Sequence, residues 1–330
     1  MMMPKVERSY WPTDTWRESL PEEQGLDLNL LHKADQYIRA KFPNVQALVI
    51  IKNGYLVYER YFSKDNNPYS NIMSVTKSVT SALIGIALKE NFIRHIDQSI
   101  TDFLSEYVKM DSDPIIHRIT IRHLLTMTSG FYFPSGGAIY RGAGMLGQRM
   151  YRSENWVRFI MDLPVKNIPG EVFEYKNVDS HLLSAILTKV TGKNALDFAH
   201  TYLFKHLGIH SNDWLSDPQG NNCGDTGLKL TAIDMAKFGF LYLNNGYWEG
   251  KLIIDSQWIQ DSTTNQVGQY GFQWWISTEG YYAQGMGGQL IQILPDLDMV
   301  IVFKSGHKVR SKSPMEVSDK FIIPAVRTIS

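Results

Sequence analysis

A helix that is apolar on every side has to be buried, and one stretch of this chain reads that way. From Val75 to Leu88 the residues Val75, Val79, Ala82, Leu83 and Ile86 follow helical spacing, and the other faces are mostly small or apolar too. A polar turn, Asn71-Ile72-Met73-Ser74, feeds it. The rest of the chain must therefore wrap around this helix. Ser74 and Lys77 fall near its N-terminus one turn apart, so their side chains share a face. A hydroxyl and an amine are thereby brought within hydrogen-bond reach at the positive end of a helix dipole. Serine is a poor nucleophile until a neighbouring base takes its proton, and a lysine can be that base where burial disfavours its charge. Alone, Ser-x-x-Lys is a weak signal. It equally describes a capping serine followed by a snorkelling lysine.

The context narrows the choice. With 330 residues the chain holds one large domain or two, with ample material for a core. Its 33 basic and 33 acidic residues balance, which argues against a nucleic-acid footprint or an acidic-membrane binder. One cysteine, Cys223, excludes an intramolecular disulfide and a cysteine-built metal site. The N-terminal residues carry charges without an apolar run, and no stretch approaches the roughly 20 apolar residues that span a bilayer. A soluble, cytoplasmic protein is the expectation.

Along the chain, residues 1–19 are polar and proline-punctuated and read as an arm on the surface. Leu26–Ala40 has helical spacing. Gln46–Ile51 and Tyr55–Phe62 flank Asn53-Gly54, the favoured two-residue hairpin connection. Helical patterns then dominate: a segment ending at Ser129-Gly130, an amphipathic run from Ser153 to Leu163, an apolar helix around Leu182–Leu187, and further helices at Ala195–Leu207 and Thr231–Leu243. A glycine- and aromatic-rich loop from Phe131 to Gly147 is long enough to be a lid or pocket wall. Strand periodicity returns at Gly271–Ile276, Tyr281–Met286, Gln289–Leu294 and Met299–Phe303, and the C-terminus from Val317 reads as helical. Strands at both ends with helices between them predict an α/β (α+β) fold. Its sheet domain is built from residues 20–80 and 265–330, and a mostly helical domain, 81–264, is inserted. Clefts between such units are the usual place for an active site.

Four segments in order now carry a resemblance: Ser74-Val75-Thr76-Lys77; Thr120 to Gly130; Pro169-Gly170-Glu171 leading to Tyr175-Lys176-Asn177; and Ala283-Gln284-Gly285-Met286-Gly287-Gly288-Gln289. Over about residues 20–310 the chain resembles the serine β-lactamase/penicillin-binding-protein superfamily. The likeness is to its class C β-lactamase-like branch, which also holds esterases, D-amino-acid peptidases and 6-aminohexanoate-dimer hydrolases. The resemblance implies a β-lactamase/transpeptidase-like fold, an antiparallel sheet flanked by helices. It implies Ser74 as acylated nucleophile, Lys77 as base or relay, and Tyr175 as second proton shuttle, with its phenol between Ser74, Lys77 and the leaving group. Asn177 would orient Lys77 or a substrate amide. The backbone amides of Ser74 and Met286 would form the oxyanion hole, with Gly287 the alternative donor one residue on. Gln284 and Gly285 would line the substrate path.

The last motif also departs from the family. Penicillin-recognising members start it with a lysine or histidine that pairs the substrate carboxylate; here that position is Ala283, followed by Gln284. A neutral ester or amide is therefore favoured over β-lactam hydrolysis or cell-wall peptidase activity, which stand second. A catalytically silent binding or scaffold protein of this fold is the alternative from another class, and the intact Ser74, Lys77 and Tyr175 argue against it. Among the nine histidines only His206 and His210 have a metal-like spacing, with no third ligand evident, so no metal and no cofactor are expected. No Gly-x-Ser-x-Gly elbow is present. Phe272, Trp274 and Trp275 read as core, with one of them a candidate wall of the acyl pocket, and Tyr132 is a candidate substrate contact. The expected partner is a small ester, amide or short peptide, with homo-oligomerisation left open.

Overall fold

The computed structural model describes residues 8–63, 69–133, 144–306 and 312–327. Its helices are α1 Leu28–Lys41, α2 Thr76–Lys89, α3 Ile121–Leu125, α4 Gly144–Arg152, α5 Trp156–Met161, α6 Asn177–Thr191, α7 Ala195–Ala199, α8 Lys205–Leu207, α9 Ala232–Leu243, α10 Ser256–Ser262 and α11 Met315–Val317. The strands are β1 Val45–Lys52, β2 Tyr55–Tyr61, β3 Ser70–Asn71, β4 Lys229–Leu230, β5 Tyr247–Trp248, β6 Lys251–Leu252, β7 Trp275–Ile276, β8 Tyr281–Gly285, β9 Gln289–Leu294 and β10 Met299–Ser305. No helix of the described residues is long and apolar enough to cross a membrane.

Six strands form one sheet in the order β2-β1-β10-β9-β8-β7, antiparallel throughout. The N-terminal hairpin thus lies beside the last strand of the chain. Its turn pairs Lys52 with Tyr55, and Asn53 and Gly54 both take positive φ, 54° and 88°, as a tight two-residue connection requires. Alternation along β1 assigns its two faces. Ala47, Val49 and Ile51 join the large core with α2, whereas Leu48 and Ile50 join a second core with α1 and the helical C-terminal segment.

The sequence expectation for α2 holds in full: every residue from Thr76 to Ala87 is buried. Gly85 shows how close the surroundings come, since a Cβ there would lie 2.5 Å from Trp258 Cδ1. One strand expectation needs correction. Gly271–Ile276 is a strand only at Trp275–Ile276. Before it, Gln273 sits at φ 64°, Gly271 N bonds Trp274 O, and the Gln273 amide donates to Leu124 O and Leu125 O. Those bonds bend the chain into a turn despite its strand-like residues. The sequence predicts a helical insertion over 81–264. Its last long helix, α9, packs against the sheet, and a Cβ at Gly239 would lie 2.7 Å from Val300 and 2.8 Å from Ile291. The N-terminal arm is likewise more than surface decoration. Trp11 and Trp16 meet Phe240 of α9, and Arg8 pairs with Asp298 at 2.5 Å.

Candidate active site

Three segments converge at one end of α2. The first is the turn that delivers Ser74. Asn71 Oδ1 accepts from Met73 N at 2.8 Å and Gly227 N at 3.0 Å, and Met73 is driven to φ 52°. A non-glycine residue in that region costs on the order of 1–3 kcal/mol and is found where the surroundings fix it. The strain sits immediately before the candidate nucleophile. Ser74 occupies a single helical turn, Met73–Val75, which Val75 N closes on Ile72 O at 3.3 Å and which leads directly into α2.

Lys77 is 1% exposed, and its Nζ donates to three acceptors. They are Ser74 Oγ at 3.3 Å, Asn177 Oδ1 at 2.9 Å and Asp225 O at 3.2 Å. The amine is therefore fixed in direction, with one of its donors aimed at the serine. Asp225 has no signal in the sequence. Its carbonyl arrives because the adjacent Gly224 is wedged against Ser180 O, and its own carbonyl takes the Thr80 hydroxyl at 2.9 Å.

The second segment is Tyr175-Lys176-Asn177. Lys176 is extended, at φ −135° and ψ 137°, and is buried, while the flanking Tyr175 and Asn177 stay half-buried. Tyr175 presents its ring to Lys77, with Nζ 5.0 Å from the centroid, and stacks on Trp275 at 5.6 Å. Among the described residues no hydrogen bond joins the phenol to Ser74 or Lys77. Its shuttle position, expected from the resemblance, is thus approached through the ring rather than through the hydroxyl. Catalytic hydrogen bonds are often loose without substrate.

The third segment is the end of β8. A Cβ on Gly285 would stand 2.7 Å from Ile72 O and 3.0 Å from Ser74 N, so only glycine lets the strand lie against the serine turn. Met286 and Gly287 follow in a turn, Met286 partly exposed and Gly287 at φ 88°, with Asn44 Nδ2 donating to Gly287 O.

Together these segments enclose a cleft of about 300 Å³. Ser74, Tyr175 and Trp275 line it on one side and the Gln284–Gly288 stretch on another. Of the three aromatics near β7, Phe272 and Trp274 are buried, and Trp275 forms the wall. Lys312 and Ser313 complete the lining, and Gln284 Nε2 donates to Ser313 Oγ at 3.0 Å. Sequence reasoning missed both, because nothing local ties residue 312 to a strand ending at residue 285. Among the described lining residues Lys312 carries the only formal charge. Tyr132 does not line this cleft. It is exposed, with Lys166 Nζ 3.4 Å above its ring, and the following loop residues 134–143 lie outside the described residues.

A family model described as Beta-lactamase matches residues 35–312. The chain belongs to the beta-lactamase family. Members are serine hydrolases, and so is this one. A 6-aminohexanoate-dimer hydrolase of Paenarthrobacter ureafaciens is 23% identical over 282 residues, covering 78% of this chain and 71% of that relative. Among solved structures, a Bacillus anthracis protein provisionally described as a 6-aminohexanoate-dimer hydrolase superposes with a TM-score of 0.77 at 24% identity, over 97% of this chain and 88% of that one. An octameric penicillin-binding protein homologue from Pyrococcus abyssi gives 0.69 at 20% identity, over 90% and 78% of the two chains. These structural likenesses establish the mixed fold, an antiparallel sheet with helices, that family membership implies.

Proposed function

We propose that this serine hydrolase cleaves a carboxylic ester or amide through an acyl-enzyme on Ser74. One observation carries the reading: a buried Lys77 amine held 3.3 Å from Ser74 Oγ at the foot of the cleft. In this reading Lys77 acts as the neutral amine, donating to Asn177 Oδ1 and Asp225 O and turning its lone pair to Ser74, whose proton it takes as the hydroxyl attacks the carbonyl carbon. The amides of Ser74 and Met286 hold the oxyanion, and Lys77 with Tyr175 delivers the proton to the leaving group. Water then attacks the acyl-enzyme, Lys77 or Tyr175 taking its proton, and the acid leaves. Asn177 keeps Lys77 aimed, Gln284 and Gly285 border the substrate, and Trp275 packs against its apolar part. The relative named for an amide dimer supports an amide as well as an ester. Cytoplasmic location and a homo-oligomeric state belong to the proposal too, the latter suggested by the octameric homologue.

A second reading has an observation of its own. The neutral-substrate expectation rested on Ala283 at the head of β8's last motif, yet Lys312 brings a cation to the same cleft from a different segment. A substrate with a carboxylate is then accommodated, and β-lactam recognition with it. Intact-protein mass spectrometry separates the readings, using a fluorophosphonate, a penicillin and a short-chain p-nitrophenyl ester, with digestion to locate adducts. A phosphonyl group on Ser74 with ester turnover and no penicilloyl adduct is the expected result. A penicilloyl group on Ser74 selects the second reading. Ester turnover that survives Ser74→Ala refutes both.

A further inference from the structure

Behind the cleft lies a cluster of charged groups that the chemistry above does not use. Asp179, the third residue of α6, is fully buried, as are Lys176 before the helix and Ser129 across from it. Ser129 Oγ donates to Asp179 Oδ1 at 2.7 Å, while Asp179 Oδ2 has no hydrogen-bond partner. Lys176 Nζ, equally enclosed, lies 3.2 Å from Glu174 Oε2 without hydrogen-bond geometry. A buried charge with no partner is strongly destabilising; Lys176 is paired with Glu174, and its charge also favours the ionised form of Asp179 against the cost of burial.

The cluster sits where it controls the site. Because Lys176 is extended, turning its side chain inward turns Tyr175 and Asn177 the other way, and Asn177 takes the Lys77 bond. The Ser129 segment grips residues 170–176 at three points. Met127 O accepts from Glu174 N at 3.0 Å, Met127 Sδ from Lys176 N at 3.3 Å, and Thr128 O from Gly170 N at 2.9 Å. This gives the Thr126-to-Gly130 stretch a task that the mechanism left open.

We propose that Asp179 is a positioning residue: its carboxylate, clamped by Ser129 and set against the buried Lys176 ammonium, holds Tyr175 and Asn177 facing Lys77. The proposal rests on the assignment of Ser74 and Lys77 above. Burial pushes the Asp179 carboxyl up to about 7; Lys176 and the Ser129 hydrogen bonds hold it down against that, and Glu174 adds to the rise. The other titratable groups around it are few. Tyr270, from the turn before β7, is fully buried, and burial first, then Tyr175 and Asp179, drive its phenol well above the ordinary range, so it stays neutral. Lys77 of α2 reaches α6 at Asn177, and His123 of α3 faces Gly170. The clamp is therefore set when Asp179 ionises and slackens when it is protonated. Activity falls as the pH drops through that value.

The test measures kcat and KM for a p-nitrophenyl ester from about pH 5 to about pH 9, together with thermal midpoints, on the full chain. Asp179→Asn is expected to lower kcat about tenfold or more, with KM within about twofold, and to remove the acid limb near neutrality. Ser129→Ala, which takes from the carboxylate its side-chain hydrogen bond and leaves both charges in place, is expected to move that limb to higher pH. The paired variant Lys176→Met with Asp179→Asn removes both charges; it is expected to recover the thermal midpoint without recovering kcat. The proposal is overturned if Asp179→Asn keeps the wild-type limb, if Ser129→Ala leaves the limb in place, or if the paired variant recovers kcat with its midpoint. Fluorophosphonate labelling of Ser74 in each variant separates this from failure of the hydrolase reading, which would show as no Ser74 adduct even in the wild type.

Discussion

At the scale of single residues, the site consists of one local pair and several groups brought in from a distance. Ser74 and Lys77 are a turn apart, so their contact is written in the spacing alone. Replacing either side chain should be severe: Ser74→Ala is expected to lower kcat by about 10⁴-fold or more, and Lys77→Ala by roughly 10²–10⁴-fold, in steady-state ester hydrolysis. Residual turnover within tenfold of wild type in Ser74→Ala would remove the serine from the mechanism. Lys312 is a different case. It contacts the cleft from the far side of β10's end, and its charge matters only to an anionic substrate. Lys312→Met should therefore lower kcat/KM about tenfold for an ester carrying a terminal carboxylate, the equivalent of roughly 1.4 kcal/mol, and leave its neutral methyl-ester counterpart nearly unchanged. An equal effect on both esters would show that Lys312 shapes the cleft without reading charge. Asp225 and Ser313 share Lys312's history. Each belongs to the site through tertiary packing, and no spacing in the sequence relates them to Ser74.

At the scale of elements, the critical seam is between the end of β8 and the turn that opens α2. Both sides are strained or stripped: Met73 takes positive φ, and Gly285 has no room for a side chain. Gly285→Ala adds a methyl group facing Ile72 O and Ser74 N. The strand's own pairing with Gln289 is left intact, so the seam should open by a fraction of an ångström rather than unfold. A misplacement of about 1 Å can cost on the order of 100-fold in rate, and Gly285→Ala is expected to lose activity on that scale with a small change in thermal midpoint. Activity near wild type would show that the seam tolerates the methyl group. The same elements show what the sequence could display. The Asn53-Gly54 hairpin, the buried α2 and the β9–β10 hairpin were legible because each rests on local periodicity and turn chemistry. Gly271–Ile276 was misread as a strand because its apolar residues are buried for another reason: Gln273 pins them to α3 and the chain turns there. The inward side chain of Lys176 was equally illegible, since a lysine flanked by Tyr175 and Asn177 reads as exposed until the fold closes over it beside Glu174.

At the scale of the whole molecule, the question is whether the sheet and the helical segment behave as two bodies. Composition and periodicity draw a boundary between them, and the proposed site combines α2 with the end of β8. The core does not follow that boundary. One contiguous apolar cluster holds Val49 of β1, Ile291 of β9 and Val302 of β10 together with Leu83 of α2, Leu124 of α3, Leu182 of α6 and Phe198 of α7. α2 is the reason. Buried along its length, it packs on α6 and α7 and shares one apolar cluster with the sheet, so neither part can lose it without exposing apolar surface at about 25 cal/mol per Å². α9 and the arm residues Trp11 and Trp16 extend the same cluster across that face of the sheet. The expected outcome is a single cooperative unfolding transition, with calorimetric and van't Hoff enthalpies in agreement and coincident loss of helix and tryptophan signals. Two resolved transitions would mean that α2 stays folded with one part while the other melts. The Ser74–Lys77 turn would then belong to that surviving part alone. A single transition instead ties the geometry of the site to global stability, and substitutions in α2 far from the cleft, such as Gly85→Ala against Trp258, should shift the thermal midpoint of the entire chain.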